Sequence, residues 1–369
     1  MNSNGQWRLF SMTHDIENLL RENAQLINER IEKYIPRRYR ADSLIFRLNP
    51  PRYTPDLEAL DRAISEPTWE FLDRGGKRWR PTLFLLVCEA LGSDPKEYLD
   101  FAVIPEIIHN GTLIADDIED SSEFRRGKPC TYRIFGLDIA INVSNFLYFI
   151  PMIVLSENRN KINPEKARRL YEIYVHEMVN LSIGQAMDIA WHRGLIDADK
   201  ITEEHYLQMC IYKTGTLARM AAKMAAILAD AEDEVVDVMG RFAESIGVAF
   251  QIQDDVLDLT GEAFAKGKGG VGMDITEGKR TLIVIHTLRE AAPTDRRRLI
   301  EILNMHTRDP KLRMEAINIM KKYGSIEYAR RAALRLKDES WNEVDKILPE
   351  SKAKERLRAL ADYLVEREI

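Results

Sequence analysis

Cysteine is scarce in this sequence: Cys88, Cys130 and Cys210 are odd in number, far apart and without a C-x-x-C pair. That excludes a disulfide framework, gives no support to a zinc site and fits a reducing cytoplasm. A basic excess is missing as well, since 53 Lys and Arg face 59 Asp and Glu for a net charge of −6, spread along the chain. Nucleic acid is therefore not the expected partner. No secretion leader is expected, because Met1 to Phe10 is polar apart from Trp7, Leu9 and Phe10. The most membrane-like run, Ile139 to Leu155, is broken by Asn142, Ser144, Asn145 and Pro151 and reads as a buried core helix, not a transmembrane segment. Alternating strand patterns are also lacking.

What the sequence has is helical periodicity. Apolar residues recur three and four apart in Ile16–Leu19–Leu20–Ala24–Leu26–Ile27–Ile31 and in Leu170–Ile173–Tyr174–Met178. Turn chemistry punctuates the pattern at Pro36, Asn49–Pro50–Pro51, Gly75–Gly76, Gly92 to Pro95, Asn163–Pro164, the 261–272 stretch, Pro293 and Pro310. The expectation is an all-α chain: a tail over 1–12, then a single helical domain over 13–369 with an insertion at 36–56. Trp69, Trp79, Trp191 and Trp341 are expected to be core anchors, and the cysteines packing residues.

One short pattern occurs twice: Asp-Asp-Ile-Glu-Asp at 116–120 and Asp-Asp-Val-Leu-Asp at 254–258. First and last aspartates four apart share one face of a helix, so each motif makes a ledge of carboxylates. Like charges at that spacing repel, more so when partly buried, and the apolar leads Leu113-Ile114-Ala115 and Ile246 to Ile252 suggest partial burial. A single copy would be explained by a solvated acidic face. Two copies favour a hard cation such as Mg²⁺, which takes a few carboxylates and shares phosphate oxygens. A calcium loop over Asp116 to Gly127 fails on spacing, with Ile118, Ser121 and Gly127 at positions that need other residues.

The opposite charge is clustered at Gly75-Gly76-Lys77-Arg78-Trp79-Arg80-Pro81, Arg125-Arg126-Gly127-Lys128, Lys213-Thr214-Gly215-Thr216 and Gly278-Lys279. Arg forks, Lys point charges and backbone N–H groups freed by glycine suit phosphate, although no Walker P-loop string occurs. Each cluster alone would be a solvated turn. His109, two turns before Asp116, adds a candidate donor, or else a satisfied core histidine.

Together these strings resemble the trans-prenyltransferases, the isoprenyl diphosphate synthases that include farnesyl and geranylgeranyl diphosphate synthases. Gly75 to Pro81 looks like the family's GGKRxRP loop, Asp116 to Arg126 like its first aspartate-rich motif, and Gly184 to Asp188 like GQxxD. Lys213-Thr214 resembles the KT pair, Gln251 to Asp258 the second aspartate-rich motif, and Asp274 to Lys279 with Thr281-Leu282 the DxxxGKxTL run.

The resemblance implies antiparallel helices around a deep cavity, a homodimer, and Mg²⁺ as cofactor, three ions per site, held by Asp116, Asp120 and Asp254. Asp117, Asp255 and Asp258 would complete the ledges, with Lys213 among the catalytic groups. The allylic diphosphate would be held by Arg125, Lys213, Thr214, Gln251, Lys268 and Lys279; one extra residue before Asp274 leaves Lys266 as the alternative to Lys268. Isopentenyl diphosphate would be held by Lys77, Arg80, His109 and Arg126. The implied chemistry is loss of pyrophosphate to an allylic cation, attack by the isopentenyl double bond, and proton loss to the departing pyrophosphate. No activated Ser, Cys or His nucleophile is then needed. Water must be excluded from the cation, and the Ile139–Leu155 helix is the expected cavity wall.

Family logic places the chain-length floor just upstream of the first motif, where Gly111 and Thr112 are small, with Phe146, Tyr148 and Phe149 as a deeper stop. A C20 product is expected, a bulky residue at Gly111 should shorten it, and farnesyl or C25 and longer products are the alternatives. A class I terpene cyclase would lack the second motif and the Lys77–Arg80 loop. A non-catalytic partner subunit would have lost one of the motifs.

Overall fold

A computed structural model describes residues 3–261 and 270–366. The chain is all-α, as expected, and its internal contacts divide it into two compact units. The first comprises Met1–Val175, Met220–Gly240 and Ile347–Leu360; the second comprises His176–Arg219, Arg241–Lys346 and Ala361–Ile369.

In the first unit, the long helix Ser3–Tyr34 begins inside the stretch expected as a tail and buries Ile16, Leu20, Ile27, Ile31 and Tyr34 along one stripe. It stops before Pro36, which cannot continue the backbone ladder. The 36–56 connection is docked: Tyr39 and Leu44 are buried, and the Tyr39 amide donates to Asp61 Oδ1 at 2.6 Å. The centre of this unit is the helix Leu99–Glu119, in which Phe101, Val103, Ile104, Ile107 and Ile108 are all at most 1% exposed. It packs along Leu137–Asn158, whose buried face carries Ala140, Val143, Leu147, Ile150 and Val154. Residues 137–161 are long and apolar enough to cross a membrane by length and composition, yet that face is packed as a core helix packs. Trp69 and Trp79 are buried here, as are the free thiols of Cys88 and Cys130.

The second unit is assembled on a core that includes Met209, Ile252, Val256, Ile283, Leu299, Ile302, Met320 and Ala329. Proline starts the helices Pro293–Asn304 and Pro310–Lys322, where its missing N–H costs nothing. Trp191 and Trp341 are buried here, with Cys210. Between the helices Glu203–Cys210 and Thr216–Leu228 lies a π-helical turn, Ile211–Gly215, for which no residue pattern is a signal. One strand pair also departs from the strand-free expectation: Phe124–Arg125 pairs antiparallel with Lys128–Pro129. Its two-residue turn has positive φ at Arg126 (54°) and Gly127 (76°), the twist a tight hairpin requires.

Candidate active site

Both aspartate motifs occupy the last turn of a helix, Leu99–Glu119 and Asp233–Thr260, and neither last turn holds a base. Carboxylates at a helix C-terminus oppose the macrodipole, at a cost of about 0.3–1 kcal/mol each, which a nearby cation would offset. In the first motif the helix is closed by Ser121 at φ 55°, and the Asp120 amide donates to Asp116 O at 2.8 Å. Asp116 and Asp120 are therefore partly exposed one turn apart, while Asp117 is 1% exposed. Arg125 Nη2 and Nε reach Asp117 Oδ1 at 2.6 and 2.8 Å, and Nη2 lies 3.6 Å from Asp116. Burial pushes the Asp117 carboxyl up, against the pull of Arg125.

The hairpin that carries Arg125 is fixed by Arg74, which donates to the carbonyls of Arg125 at 3.2 Å and Pro129 at 2.9 Å while pairing with Glu70 at 2.5 Å. Arg74 opens directly into Gly75–Gly76, so one side chain registers the hairpin against the basic loop. At Gly76, φ is 141° and an added Cβ would stand 3.0 Å from Arg78 Nη1 and 3.1 Å from Arg126 Nη2; only glycine fits between two guanidiniums. Arg126 lies over the Phe71 ring at 5.2 Å. Burial, together with Arg78, draws Arg126 down to about 10, and burial draws Arg80 to about 10. Buried Arg80 Nε and Arg126 Nη1 have no hydrogen-bond acceptor in the protein. His109 is held neutral, well below its ordinary range, by burial and by Arg80, Arg126, Arg78 and Arg125. Arg80, His109 and Arg126, three of the four residues expected for isopentenyl diphosphate, thus share one cationic surrounding of a kind that suits an anion, and the fourth, Lys77, is partly buried.

In the second unit the π turn presents Lys213 and Thr214. A Cβ on Gly184 would lie 2.4 Å from the Lys213 amide nitrogen, so this glycine lets the turn rest on the helix Pro164–His192. One turn further along that helix, Asp188 is 4% exposed and accepts from Lys213 Nζ at 2.6 Å and Lys279 Nζ at 2.9 Å. Burial would raise its pKa, but the two ammoniums hold it well below the usual carboxylate range. Thr214 donates to Gln251 Oε1 at 3.2 Å, and Gln251 donates to Asp255 Oδ1 at 2.8 Å. Tyr206 donates to Asp255 Oδ2 at 2.8 Å. Asp258 is fully buried and accepts from the Asp274 amide at 3.1 Å. Only Asp254 of this motif is partly exposed.

Asp116 and Asp120 in the first unit, and Asp254 in the second, each offer oxygen donors alone, the donor chemistry that fits Mg²⁺. Among the described residues no group of three His, Cys, Asp or Glu side chains is gathered closely enough to hold an ion.

Three expectations need correcting in detail. The second ledge is a single exposed carboxylate, because Asp255 and Asp258 are spent on internal hydrogen bonds. Gly111 is no opening in a pocket: an added Cβ would stand 2.9 Å from Leu147 Cβ and 3.2 Å from Ser144 O, so its smallness serves a close helix crossing. Phe149 is 71% exposed and closes nothing in this chain, whereas Phe146 and Tyr148 are partly buried, with burial raising the Tyr148 hydroxyl to about 12. Lys266 and Lys268 lie outside the described residues. Sequence reasoning passed over Asp188, Arg78, Glu106 and Tyr206 as site residues; for Asp188 the GQxxD string was the available signal.

The model of the family described as polyprenyl synthetase matches residues 61–320. A short chain isoprenyl diphosphate synthase of Methanothermobacter thermautotrophicus is 37% identical over 322 residues, 84% of this chain and 95% of that one. A geranylfarnesyl diphosphate synthase of Natronomonas pharaonis is 30% identical over 370 residues, covering 95% of this chain and 98% of its own. The crystal structure of geranylgeranyl pyrophosphate synthetase from Pyrococcus horikoshii Ot3 matches with TM-score 0.81 at 34% identity, covering 98% of this chain and 100% of that one.

Proposed function

The chain belongs to the polyprenyl synthetase family and is a prenyltransferase that elongates trans-prenyl chains; from that premise we propose that it condenses isopentenyl diphosphate with allylic diphosphates to geranylgeranyl diphosphate, releasing pyrophosphate. The observation that carries the assignment of roles is the distribution of charge: carboxylates at two helix C-termini and, in the unit of the first, buried Arg80 and Arg126 with N–H groups that have no acceptor in the protein.

Mg²⁺ held by Asp116, Asp120 and Asp254 would supply electrostatic stabilisation of the departing pyrophosphate. Arg125, Lys213, Thr214, Gln251 and Lys279 bind the allylic diphosphate and neutralise charge as its C–O bond breaks. Lysine 266 or 268 belongs with them on the sequence pattern. Lys77, Arg80, His109 and Arg126 hold isopentenyl diphosphate; His109, neutral, donates a hydrogen bond without adding charge. Asp117 orients Arg125, Asp255 orients Gln251, and Asp258 pins the Met273–Glu277 turn that leads to Lys279.

The C20 length is supported by the likeness to the Pyrococcus geranylgeranyl synthetase, and a C25 product is the second reading because of the Natronomonas relative. Thr112, partly buried, is the position to probe, with Phe146 and Tyr148 as the deeper stop. We propose a homodimer on the exposed apolar residues Leu137, Ile141 and Phe149 of one helix and Val175, Val179 and Ile183 of another. A cytoplasmic setting accords with the free thiols.

The test is incubation with isopentenyl diphosphate and, separately, dimethylallyl, geranyl and farnesyl diphosphates, with and without Mg²⁺, and chromatography of the dephosphorylated products. Metal-dependent C20 alcohol is expected, shortened toward C15 by Thr112→Phe. A C25 product would replace the length but keep the reaction. Cyclic hydrocarbon from an allylic substrate alone would overturn the proposed condensation.

A further inference from the structure

Arg78 stands in the middle of the basic loop, yet each of its three guanidinium nitrogens already has an acceptor in the protein. It caps the helix Trp79–Ala90 in the left-handed region at φ 48° and is 2% exposed. Its guanidinium donates from Nη1 to Glu106 Oε1 at 3.0 Å, from Nη2 to Leu72 O at 3.0 Å and from Nε to Asn28 Oδ1 at 3.1 Å. A non-glycine residue in that backbone region is strained and persists only where its surroundings hold it. Here three acceptors from three separate segments do so, and one of them, Glu106, is a carboxylate 2% exposed. Asn110, one turn on, donates to the same Glu106 Oε1 at 3.1 Å and to Glu106 O at 2.8 Å, fixing the carboxylate rotamer.

The charges complete the picture. Arg78, Arg80 and Arg126 gather three positive charges, and Glu106 is the acid that touches this group. Its negative charge works against the depression of both Arg80 and Arg126. One of the three guanidiniums, Arg78, is thereby ion-paired and hydrogen-bonded through every nitrogen, and the other two keep buried nitrogens without an acceptor.

We infer that Glu106 is a positioning residue for isopentenyl diphosphate: through Arg78 it holds the strained basic loop so that Arg80 and Arg126 present their N–H groups to that diphosphate. The inference rests on the assignment of Arg80 and Arg126 to isopentenyl diphosphate made above. A neutral isostere at 106 leaves Arg78 with an unpaired buried charge and frees the loop to relax toward ordinary backbone angles.

The experiment measures separate KM values for isopentenyl diphosphate and for the allylic substrate, with kcat, in Glu106→Gln, Glu106→Asp, Asn28→Ala and Arg80→Met. Glu106→Gln should raise KM for isopentenyl diphosphate about 10-fold or more with KM for the allylic substrate within about 2-fold, since only one subsite is disturbed. Glu106→Asp should recover part of the loss, and Asn28→Ala, which removes an acceptor from the opposite side of Arg78, should change the same KM in the same direction by a smaller factor. Should Glu106→Gln not fold, Asn28→Ala carries the test alone. An unchanged or lowered KM for isopentenyl diphosphate in both variants, while Arg80→Met raises it, overturns the role of Glu106. Equal rises in both KM values also overturn it, marking a merely structural residue. If Arg80→Met leaves the isopentenyl KM unchanged, the subsite assignment itself is at fault.

Discussion

The two aspartate motifs are nearly the same string at the same place on a helix, and the protein surrounds them with different cations. Around the first, the partners are guanidiniums: Arg125 on a hairpin, Arg126 at its turn, Arg74 clamping both to the neighbouring loop. Around the second they are ammoniums, Lys213 and Lys279, converging on one buried acid, Asp188. Guanidinium forks fix direction and hold it, whereas an ammonium on a four-carbon stem is a point charge that can change partner. The first surrounding is made of groups that suit an anion held in one orientation. The second gathers two point charges on one buried acid, Asp188.

The largest effect should come from the partly exposed carboxylates, to which the proposed function gives one and the same role in both motifs. Asp116→Ala and Asp254→Ala should each lower kcat on the order of 10³-fold, the scale of losing a principal electrostatic group. Folding should be little altered, because one fewer carboxylate opposes the helix dipole. Circular dichroism and steady-state rates on the same preparations check both halves. A near-normal rate in either variant would remove that aspartate from metal binding.

A smaller effect sharpens the contrast. Asp188→Asn leaves Lys213 and Lys279 converging on a neutral amide, and removing one partner of a buried ion pair costs about 3 kcal/mol or more. Stability measured by denaturant should fall by that order, and kcat/KM for the allylic substrate should fall roughly 10-fold as the ammoniums separate. Because the folded-state pKa of Asp188 is depressed, its contribution is present above the ordinary carboxylate range and lost as pH falls below it. Tighter allylic binding in the variant would mean that Asp188 only restrains the lysines.

The helices, their breaks and the residues carrying charge were legible in the sequence because each rests on local chemistry. Pro36, Pro293 and Pro310 act through their own rings, and carboxylates four apart share a face wherever the helix lies. What was not legible depends on partners distant in the chain. The π turn at Lys213 is shaped by Gly184, almost 30 residues away, which admits it against another helix. The same aspartate spacing became two exposed carboxylates in one motif and one in the other, because Tyr206, Gln251 and the Asp274 amide claim Asp255 and Asp258. Gly111 reads as small in the sequence; what its smallness is for depends on where Leu147 and Ser144 lie. The Arg126–Gly127 hairpin is too short for alternation to register.

Asp100 supplies the control for the comparison, a third acid in a cationic surrounding but assigned no ligand. It is 5% exposed and accepts from Tyr34 at 2.8 Å, Lys33 at 3.0 Å and Lys161 at 2.9 Å, with Arg30 at 3.6 Å. Burial alone would raise its pKa; Lys161, Tyr34 and Lys33 instead lower it from 3.8 to about 2. An acid depressed in the folded state stabilises it fully above the unfolded value and loses that contribution as pH falls through the folded one. With Lys33 and Lys161 exposed, solvent screening leaves about 1–2 kcal/mol. Asp100→Asn should therefore destabilise the protein by that amount at neutral pH, with the difference from the parent shrinking between about pH 4 and pH 2. Both KM values and kcat should be unchanged. A cage of cations around an acid is then seen to be structural unless, as proposed at Asp188 and Glu106, the same cations or their neighbours also bind a substrate; a shift in allylic KM at Asp100 would break that distinction.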